Sequence, residues 1–274
     1  MDDALRAFRD VVSVADAEVD LGRGALEIAR IEHPSLSTPR ELTRLDALAL
    51  RSGVGAVGDS VKALHRLREF LFEEEGFSGN GGHYYDPRNS CLNDVLDRRL
   101  GIPITLSVVM MEVGRRVGLR IVGVGLPGHF VVRADVGPEP VLLDPFDGGA
   151  ILPPERAAEL VARALGRRMS ITERHLAPVT KRQILTRMLM NLKAIYTTGH
   201  GWAKALAVID RLIILDSSAA AHFRDRGAVF VHLGQLEKGV VDLERYLTRC
   251  PRAEDVEAVR QQLRQARQQL ASLN

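Results

Sequence analysis

Cysteine and aromatic residues are scarce in this chain, and neither sign of charge is in clear excess. Its 274 residues include two cysteines, Cys91 and Cys250, too few for a disulfide framework, so we expect a reducing, cytoplasmic setting. Aromatic residues make up 5% of the chain, which leaves few platforms on which nucleic-acid bases could stack. The 37 basic and 35 acidic residues give a net charge of +2, which predicts no nucleic-acid partner.

Long apolar segments are also lacking. The first residues, MDDALRAFRDVV, contain no basic segment followed by an apolar run. We therefore expect neither a signal peptide nor a transmembrane helix, and no membrane partner. Hydrophobic residues still make up 46% of the chain, which is enough for a sizeable core. A length of 274 residues suggests two domains as a first estimate.

The stretch from Arg98 to Gly149 is the most informative part of the sequence. Pro103 suits the first turn of a helix, where the N–H that proline lacks would have no partner. The apolar residues that follow are too dense for a surface helix, so a buried helix is predicted up to Val117, with Gly118 as its stop. Alternating patterns then predict three strands, which are Leu119–Gly125, His129–Arg133 and Val141–Asp144.

The hairpin formed by the last two strands would bring a histidine and an aspartate together. If its turn is centred between Val136 and Gly137, His129 lies directly opposite Asp144. Opposed residues of an antiparallel pair have Cβ atoms roughly 4.5–5.5 Å apart, close enough for a hydrogen bond. A carboxylate on one imidazole nitrogen makes the other nitrogen a better base, so the pair would supply two of the three members of a nucleophilic triad.

Several motifs between Phe70 and Phe146 resemble the SirB1 family, bacterial proteins with a transglutaminase-like domain followed by tetratricopeptide repeats. The motifs are FEEEGFSGN, YYDPRNS, LNDVLDRRLGIPITLSVV, GVGLPGHFVVR and LLDPF. The resemblance implies an α+β fold: a transglutaminase-like (papain-like) core with a small antiparallel sheet, N-terminal helices and C-terminal tetratricopeptide-type helical repeats. It also implies a Cys-His-Asp triad that includes His129 and Asp144. The triad cysteine belongs at the start of the buried helix, where this chain reads Pro103-Ile104-Thr105.

Two kinds of side chain could replace the missing cysteine. Cys91 is predicted in the first turn of the preceding helix, where unpaired N–H groups would stabilise a thiolate. The superfamily does not use that helix for its cysteine, so Cys91 is alternatively a buried small hydrophobe. The Thr105 hydroxyl, with Ser107 beside it, could be activated by a His–Asp pair. Alternatively, that hydroxyl forms a hydrogen bond in the first helical turn.

A polar, glycine-rich loop from Gly76 to Ser90 precedes these elements, and such loops often carry function. Its Tyr85 and Asn89, together with Asn93 on the following helix, are candidates for binding a ligand. A histidine and an aspartate in the same loop could suggest a metal site. Turn formation by glycine, asparagine and aspartate explains them better, because a third ligand at a known spacing is missing. We therefore predict no metal and no cofactor.

Three parts are predicted along the chain. Residues 1–75 show helical apolar spacing and would pack on a core formed by residues 76–170. Residues 180–274 resemble themselves when shifted by 34 residues, which places Trp202–Leu206 over Leu236–Val240. A 34-residue period is typical of tetratricopeptide repeats. It predicts helices over residues 183–198, 202–215, 219–233, 236–249 and 253–272.

These observations favour a cytoplasmic, non-catalytic transglutaminase-like protein that retains a His-Asp pocket and binds a protein or peptide through its helical repeats. One alternative is an active hydrolase or acyltransferase that uses Cys91 or Thr105 with His129 and Asp144. Another is a purely structural scaffold, in which the pocket has no function. The distance between a nucleophile and the unpaired nitrogen of His129 would distinguish the first two, because activation needs hydrogen-bond contact.

Overall fold

The computed structural model describes residues 3–167 and 171–273, and it is mostly helical with two small sheets. The α+β fold with tetratricopeptide-type helices at its C-terminal end is confirmed. The helices are α1 Asp3–Val12, α2 Leu21–Ala29, α3 Thr38–Arg51, α4 Ser60–Glu69, α5 Leu92–Arg98, α6 Pro103–Arg116, α7 Pro154–Leu165, α8 Lys181–Thr198, α9 Trp202–Leu215, α10 Ala220–His232, α11 Leu236–Arg249 and α12 Val256–Leu273. The strands are β1 Ser78–Gly79, β2 Leu100–Gly101, β3 Ile121–Val124, β4 Val131–Ala134, β5 Val141–Asp144 and β6 Ala150–Ile151.

The chain divides into two compact units. The larger is Val11–Met188, and the smaller combines Met1–Asp10 with Leu189–Asn274. The predicted boundaries at residues 75 and 180 stay a prediction, and the predicted boundary at residue 170 lies outside the described residues. Among the described residues, no helix has the combination of length and apolarity that crossing a bilayer requires.

Helix α6 forms the centre of the larger unit. It contacts α2, α3 and α5 as well as strands β3 and β4, and it is buried over most of its length, as the dense apolar run predicts. Gly114 allows a close approach, because a Cβ at this position would lie 2.6 Å from Cδ1 of Ile121. Gly118 adopts a φ of +83° after the helix and so supplies the predicted stop.

The larger sheet has the order β3-β4-β5-β6, with antiparallel pairing throughout. In the β4–β5 hairpin Val132 pairs with Leu143, so the turn is centred one residue later than predicted and the predicted register is wrong. The reason is the connecting loop, since Ala134 pairs with Val141 and residues 135–140 between them fix the register. A separate turn precedes β4. Gly128 has a φ of +73°, and the His129 N–H donates to the Leu126 carbonyl at 3.1 Å. This turn keeps His129 out of the ladder, which begins at Val131.

The smaller sheet attaches the glycine-rich loop to the start of α6. Strands β1 and β2 are parallel, with Ser78 beside Leu100 and Gly79 beside Gly101. A Cβ on Gly79 would lie 2.6 Å from both the ring and the carbonyl oxygen of Phe146, so only glycine fits there without displacing backbone. The loop is therefore held against the segment that follows β5.

The predicted 34-residue repeat is confirmed in the smaller unit. Helix α9 spans Trp202–Leu215, and α11 spans the residues 34 positions later, Leu236–Arg249. Helices α10 and α11 cross closely, since a Cβ on Gly227 would lie 2.8 Å from Cγ of Leu243. Small residues at helix crossings with this period are typical of tetratricopeptide packing.

Candidate functional site

The predicted hydrogen bond between His129 and Asp144 is confirmed, although the register that suggested it is wrong. His129 Nε2 lies 2.9 Å from Asp144 Oδ2, and the backbone N–H of Phe146 donates to Asp144 Oδ1 at 3.0 Å. The side chains are 12% and 3% exposed, respectively. A buried carboxylate is stable when it accepts hydrogen bonds, and each oxygen of Asp144 has a partner.

Backbone contacts fix the position of the histidine. The guanidinium of Arg187, on α8, donates from Nη2 to the His129 carbonyl at 2.7 Å and to the Leu126 carbonyl at 3.2 Å. Burial lowers the pKa of Arg187 from its ordinary value. Arginine nevertheless stays protonated in proteins, so it remains a donor at neutral pH. Arg187 thus holds both ends of the turn that presents the imidazole.

Aromatic rings lie on one side of the imidazole. The Phe146 ring approaches His129 edge-on with centroids 6.1 Å apart, and Tyr84 of the glycine-rich loop approaches Phe146 in the same way at 6.3 Å. Burial raises the pKa of the Tyr84 hydroxyl, which keeps it neutral at physiological pH. The loop therefore contributes packing next to the His–Asp pair.

A pocket of about 380 Å³ opens beside the pair. It combines the imidazole with two arginines, one further aspartate and several apolar side chains. Helix α7 supplies its second wall. The lining residues are His129, Asp144, Phe146, Asp147, Leu152, Arg156, Leu160, Arg163 and Ala164.

Thr105 is buried at the start of α6 and does not line this pocket. Its hydroxyl donates to the Asn89 carbonyl at 2.6 Å and accepts from the Ile102 N–H at 3.2 Å. The hydroxyl proton is thereby committed to structure, in agreement with the helix-capping alternative. A catalytic role for Thr105 stays a prediction that this geometry disfavours.

The other candidate nucleophiles are also buried away from the pocket lining. Cys91 is fully buried and occupies the N-cap position of α5 rather than its first turn. Ser107 is fully buried as well, and its Oγ has no hydrogen-bond partner in the described part of the chain. Neither side chain is among the residues that line the pocket beside His129.

The three candidate ligand-binding residues have separate positions. Tyr85 is 77% exposed. Asn89 is buried and holds the loop, since its Nδ2 donates to the His83 carbonyl at 2.7 Å and its Oδ1 accepts from Asn80 Nδ2 at 3.1 Å. Asn93 is buried, and its Oδ1 has no partner among the described residues. None of the three lines the pocket, and their binding role stays a prediction.

Sequence reasoning missed the α7 wall. Arg163 and Ala164 lie three and four residues after Leu160, and Arg156 lies four residues before it, which is the signal that places them on one face. Over residues 3–167 and 171–273, no three histidine, cysteine, aspartate or glutamate side chains lie together as metal ligands would.

Comparison with known proteins gives two matches along the chain. Residues 39–190 match the transglutaminase-like superfamily, and residues 192–264 match the tetratricopeptide repeat. A UPF0162 protein of Xylella fastidiosa is 37% identical over 262 residues, covering 93% of each chain. A UPF0162 protein of Pseudomonas aeruginosa is 31% identical over 229 residues, covering 83% of each.

A eukaryotic protein matches over a shorter region. F-box only protein 21 of Mus musculus is 32% identical over 142 residues, which cover 52% of this chain and 21% of that protein. No solved structure matches the chain.

Proposed function

Because the chain belongs to the transglutaminase-like superfamily and continues into tetratricopeptide repeats, we propose that it is a non-catalytic, cytoplasmic protein that binds a peptide segment of a partner in the His129–Asp144 pocket. One observation carries this proposal. Among the described residues that line the pocket there is an imidazole with its carboxylate, but no cysteine, serine or threonine.

Acyl transfer by the superfamily's chemistry requires a nucleophile within hydrogen-bond reach of the imidazole. The helix turn that should present this nucleophile carries Thr105, whose hydroxyl donates a hydrogen bond to the Asn89 carbonyl. A displacement of about 1 Å in a catalytic group can cost a hundredfold in rate, so a nucleophile outside the pocket lining would contribute little. The remaining features of the pocket are those of a binding site.

The imidazole offers a specific contact to a peptide. A carboxylate can only accept, so the neutral imidazole carries its proton on Nε2 and offers Nδ1 as an acceptor. In the described part of the chain Nδ1 of His129 has no hydrogen-bond partner. It can therefore accept a hydrogen bond from a backbone N–H, while Phe146 and Leu160 offer apolar contacts to the neighbouring side chain. The tetratricopeptide unit supports the same conclusion, since such repeats form protein-binding surfaces.

The test is to select peptides against the whole chain by phage display and to measure their dissociation constants by fluorescence anisotropy. We expect His129→Gln, which can still reach Asp144, to weaken the selected peptides at least fivefold. His65→Gln, which changes an exposed histidine of α4 outside the pocket lining, should leave the affinity unchanged. Mass spectrometry should recover the peptides unmodified after prolonged incubation. Cleavage or acyl transfer that disappears in His129→Gln would refute the non-catalytic assignment, and equal affinity in both variants would refute the binding site.

A further inference from the structure

The α7 wall of the pocket carries two arginines on one face. Arg156 and Arg163 are seven residues apart, which is close to two helical turns, and both line the pocket. Leu160 and Ala164 lie between and beside them on the same face. The buried residues Ala157 and Val161 of the same helix pack into a core cluster with Val131 of β4. This packing fixes which side of α7 faces the pocket.

Neither arginine is neutralised by the protein. In the part of the chain that the structure describes, Arg156 and Arg163 have no ion pair or side-chain hydrogen bond. Several other arginines of the same unit do form ion pairs with carboxylates. Arg99 Nη2 lies 2.6 Å from Glu75 Oε2, and Arg116 Nε lies 2.6 Å from Asp46 Oδ1. The pocket thus contains two guanidinium groups that have no carboxylate within contact distance among the described residues.

The acidic residues of the lining do not cancel this charge. Asp144 is 3% exposed, and its two oxygens accept from His129 and from the Phe146 N–H. Asp147 is exposed and adds one negative charge against the two positive charges of the arginines. The planar fork of a guanidinium matches the geometry of a carboxylate and binds it through two parallel hydrogen bonds.

We propose that the pocket recognises the free C-terminal carboxylate of a peptide whose last residue is apolar, an inference that rests on the proposed binding function. A terminal residue carries its carboxylate, its N–H and its side chain on one Cα. These groups correspond to the arginines, to Nδ1 of His129 and to the apolar side chains of Phe146, Leu152 and Leu160. The volume of about 380 Å³ is at the lower end of the range of roughly 300–1,000 Å³ for ligand pockets, which suits a chain end better than a continuous segment.

Four small probes separate the possible sources of the anion. They are N-acetyl-leucine, its neutral amide, N-acetyl-glutamate α-amide as a mimic of an internal acidic residue, and inorganic phosphate. Each is titrated into the whole chain labelled with ¹³C-histidine, and the imidazole signal assigned to His129 reports occupancy. We expect N-acetyl-leucine to bind at least fivefold more tightly than the other three, with binding weakened by added salt.

The matched variants test the arginines. The double variant R156Q/R163Q should weaken N-acetyl-leucine about tenfold, as the loss of about 1.4 kcal/mol from charged hydrogen bonds implies. R40Q makes the same arginine-to-glutamine change at an exposed position of α3 and should leave the affinity for N-acetyl-leucine unchanged. The probes give their answer on the unmodified chain, so the test does not depend on the folding of either variant.

Each other outcome has one meaning. Equal binding of N-acetyl-leucine and its amide would overturn the carboxylate inference while leaving the binding pocket standing. Preference for the glutamate probe or for phosphate would replace the C-terminus with that source. The absence of any His129 shift with all four probes at 50 mM, on the order of the weakest fragment affinities, would overturn both the inference and the proposed function.

Discussion

His129 Nε2 and Asp144 Oδ2 are joined by a 2.9 Å hydrogen bond, although the two residues are not partners in the β4–β5 ladder. The contact arises because His129 belongs to the turn before β4 and Asp144 is the last residue of β5. Asp144 also caps the short helical turn Pro145–Asp147 by accepting from the Phe146 N–H. One carboxylate therefore positions two groups that line the pocket, the His129 imidazole and Phe146.

The first prediction concerns this carboxylate. Asp144→Ala should speed amide hydrogen exchange of Phe146 by more than tenfold, because the Phe146 N–H loses its acceptor at 3.0 Å. Exchange is followed by NMR at neutral pH. Asp147→Ala, which changes the exposed neighbouring aspartate, should leave Phe146 exchange unaltered. Unchanged exchange in Asp144→Ala would show that the cap does not form in solution.

A second prediction separates structure from catalysis at Thr105. Thr105→Val keeps the shape of the side chain but removes the donor to the Asn89 carbonyl, so we expect a loss of about 1–2 kcal/mol in the free energy of unfolding. Thr105→Ser should recover most of this loss. Urea denaturation followed by circular dichroism measures the effect, and binding of N-acetyl-leucine should be the same in all three proteins. A stable Thr105→Val variant that no longer binds would give the hydroxyl a functional role.

The third prediction is a pH dependence at Asp86, which caps the turn Pro87–Ser90. The side-chain hydrogen bond from Arg88 holds the pKa of the Asp86 carboxyl below its ordinary value of 3.8. A carboxyl with a lowered pKa in the folded state stabilises the fold above its unfolded pKa. This contribution is lost as the pH falls through the lower, folded pKa.

Asp86→Asn keeps a side chain that can cap the turn but removes the charge that Arg88 contacts. It should therefore lower the free energy of unfolding by about 0.5 kcal/mol at pH 7, a typical value for an exposed ion pair. The difference from the unaltered chain should shrink as the pH falls below 3.8. Thermal unfolding from pH 7 down to roughly pH 2.5, a range that includes the ordinary pKa of an aspartate, measures this difference. Asp147→Asn is the control, and a deficit of constant size at every pH would contradict the linkage.

The repeat helices could be predicted from the sequence because their signal is local. Apolar spacing and the 34-residue period follow from each helical pair burying one face against the next, so α9 begins and ends at the predicted residues 202 and 215. The buried position of α6 could be predicted for a similar reason. Its apolar residues surround the helix on all sides.

The site geometry was less accessible to sequence reasoning. The register of the β4–β5 hairpin is set by the loop between its strands, whose length a strand pattern does not fix. The position of His129 depends on the turn at Gly128, whose positive φ a strand pattern does not reveal. Arg156 and Arg163 were missed because their position is set by how α7 packs on the sheet, a tertiary contact through Ala157 and Val161. Local spacing shows that the two arginines share a face but not what that face meets.

The proposed non-catalytic function depends most on the absence of a thiol that works with His129. Cysteine catalysis needs the sulfur close to the imidazole, because the ion pair with a protonated histidine creates the thiolate and the same histidine later returns the proton. Cys91 is fully buried and is not among the residues that line the pocket. Its reactivity should therefore be low and independent of His129.

The decisive measurement is alkylation by iodoacetamide across roughly pH 5–9, a range that brackets the ordinary thiol pKa, in a Cys250→Ser background so that Cys91 alone is counted. Mass spectrometry gives the rate for the Cys91 thiol in this background and after adding His129→Ala, with Cys91→Ala as the blank. We expect slow labelling at every pH and the same rate with and without His129. Fast labelling near pH 6 that disappears in His129→Ala would contradict the account and identify the protein as a cysteine-dependent enzyme.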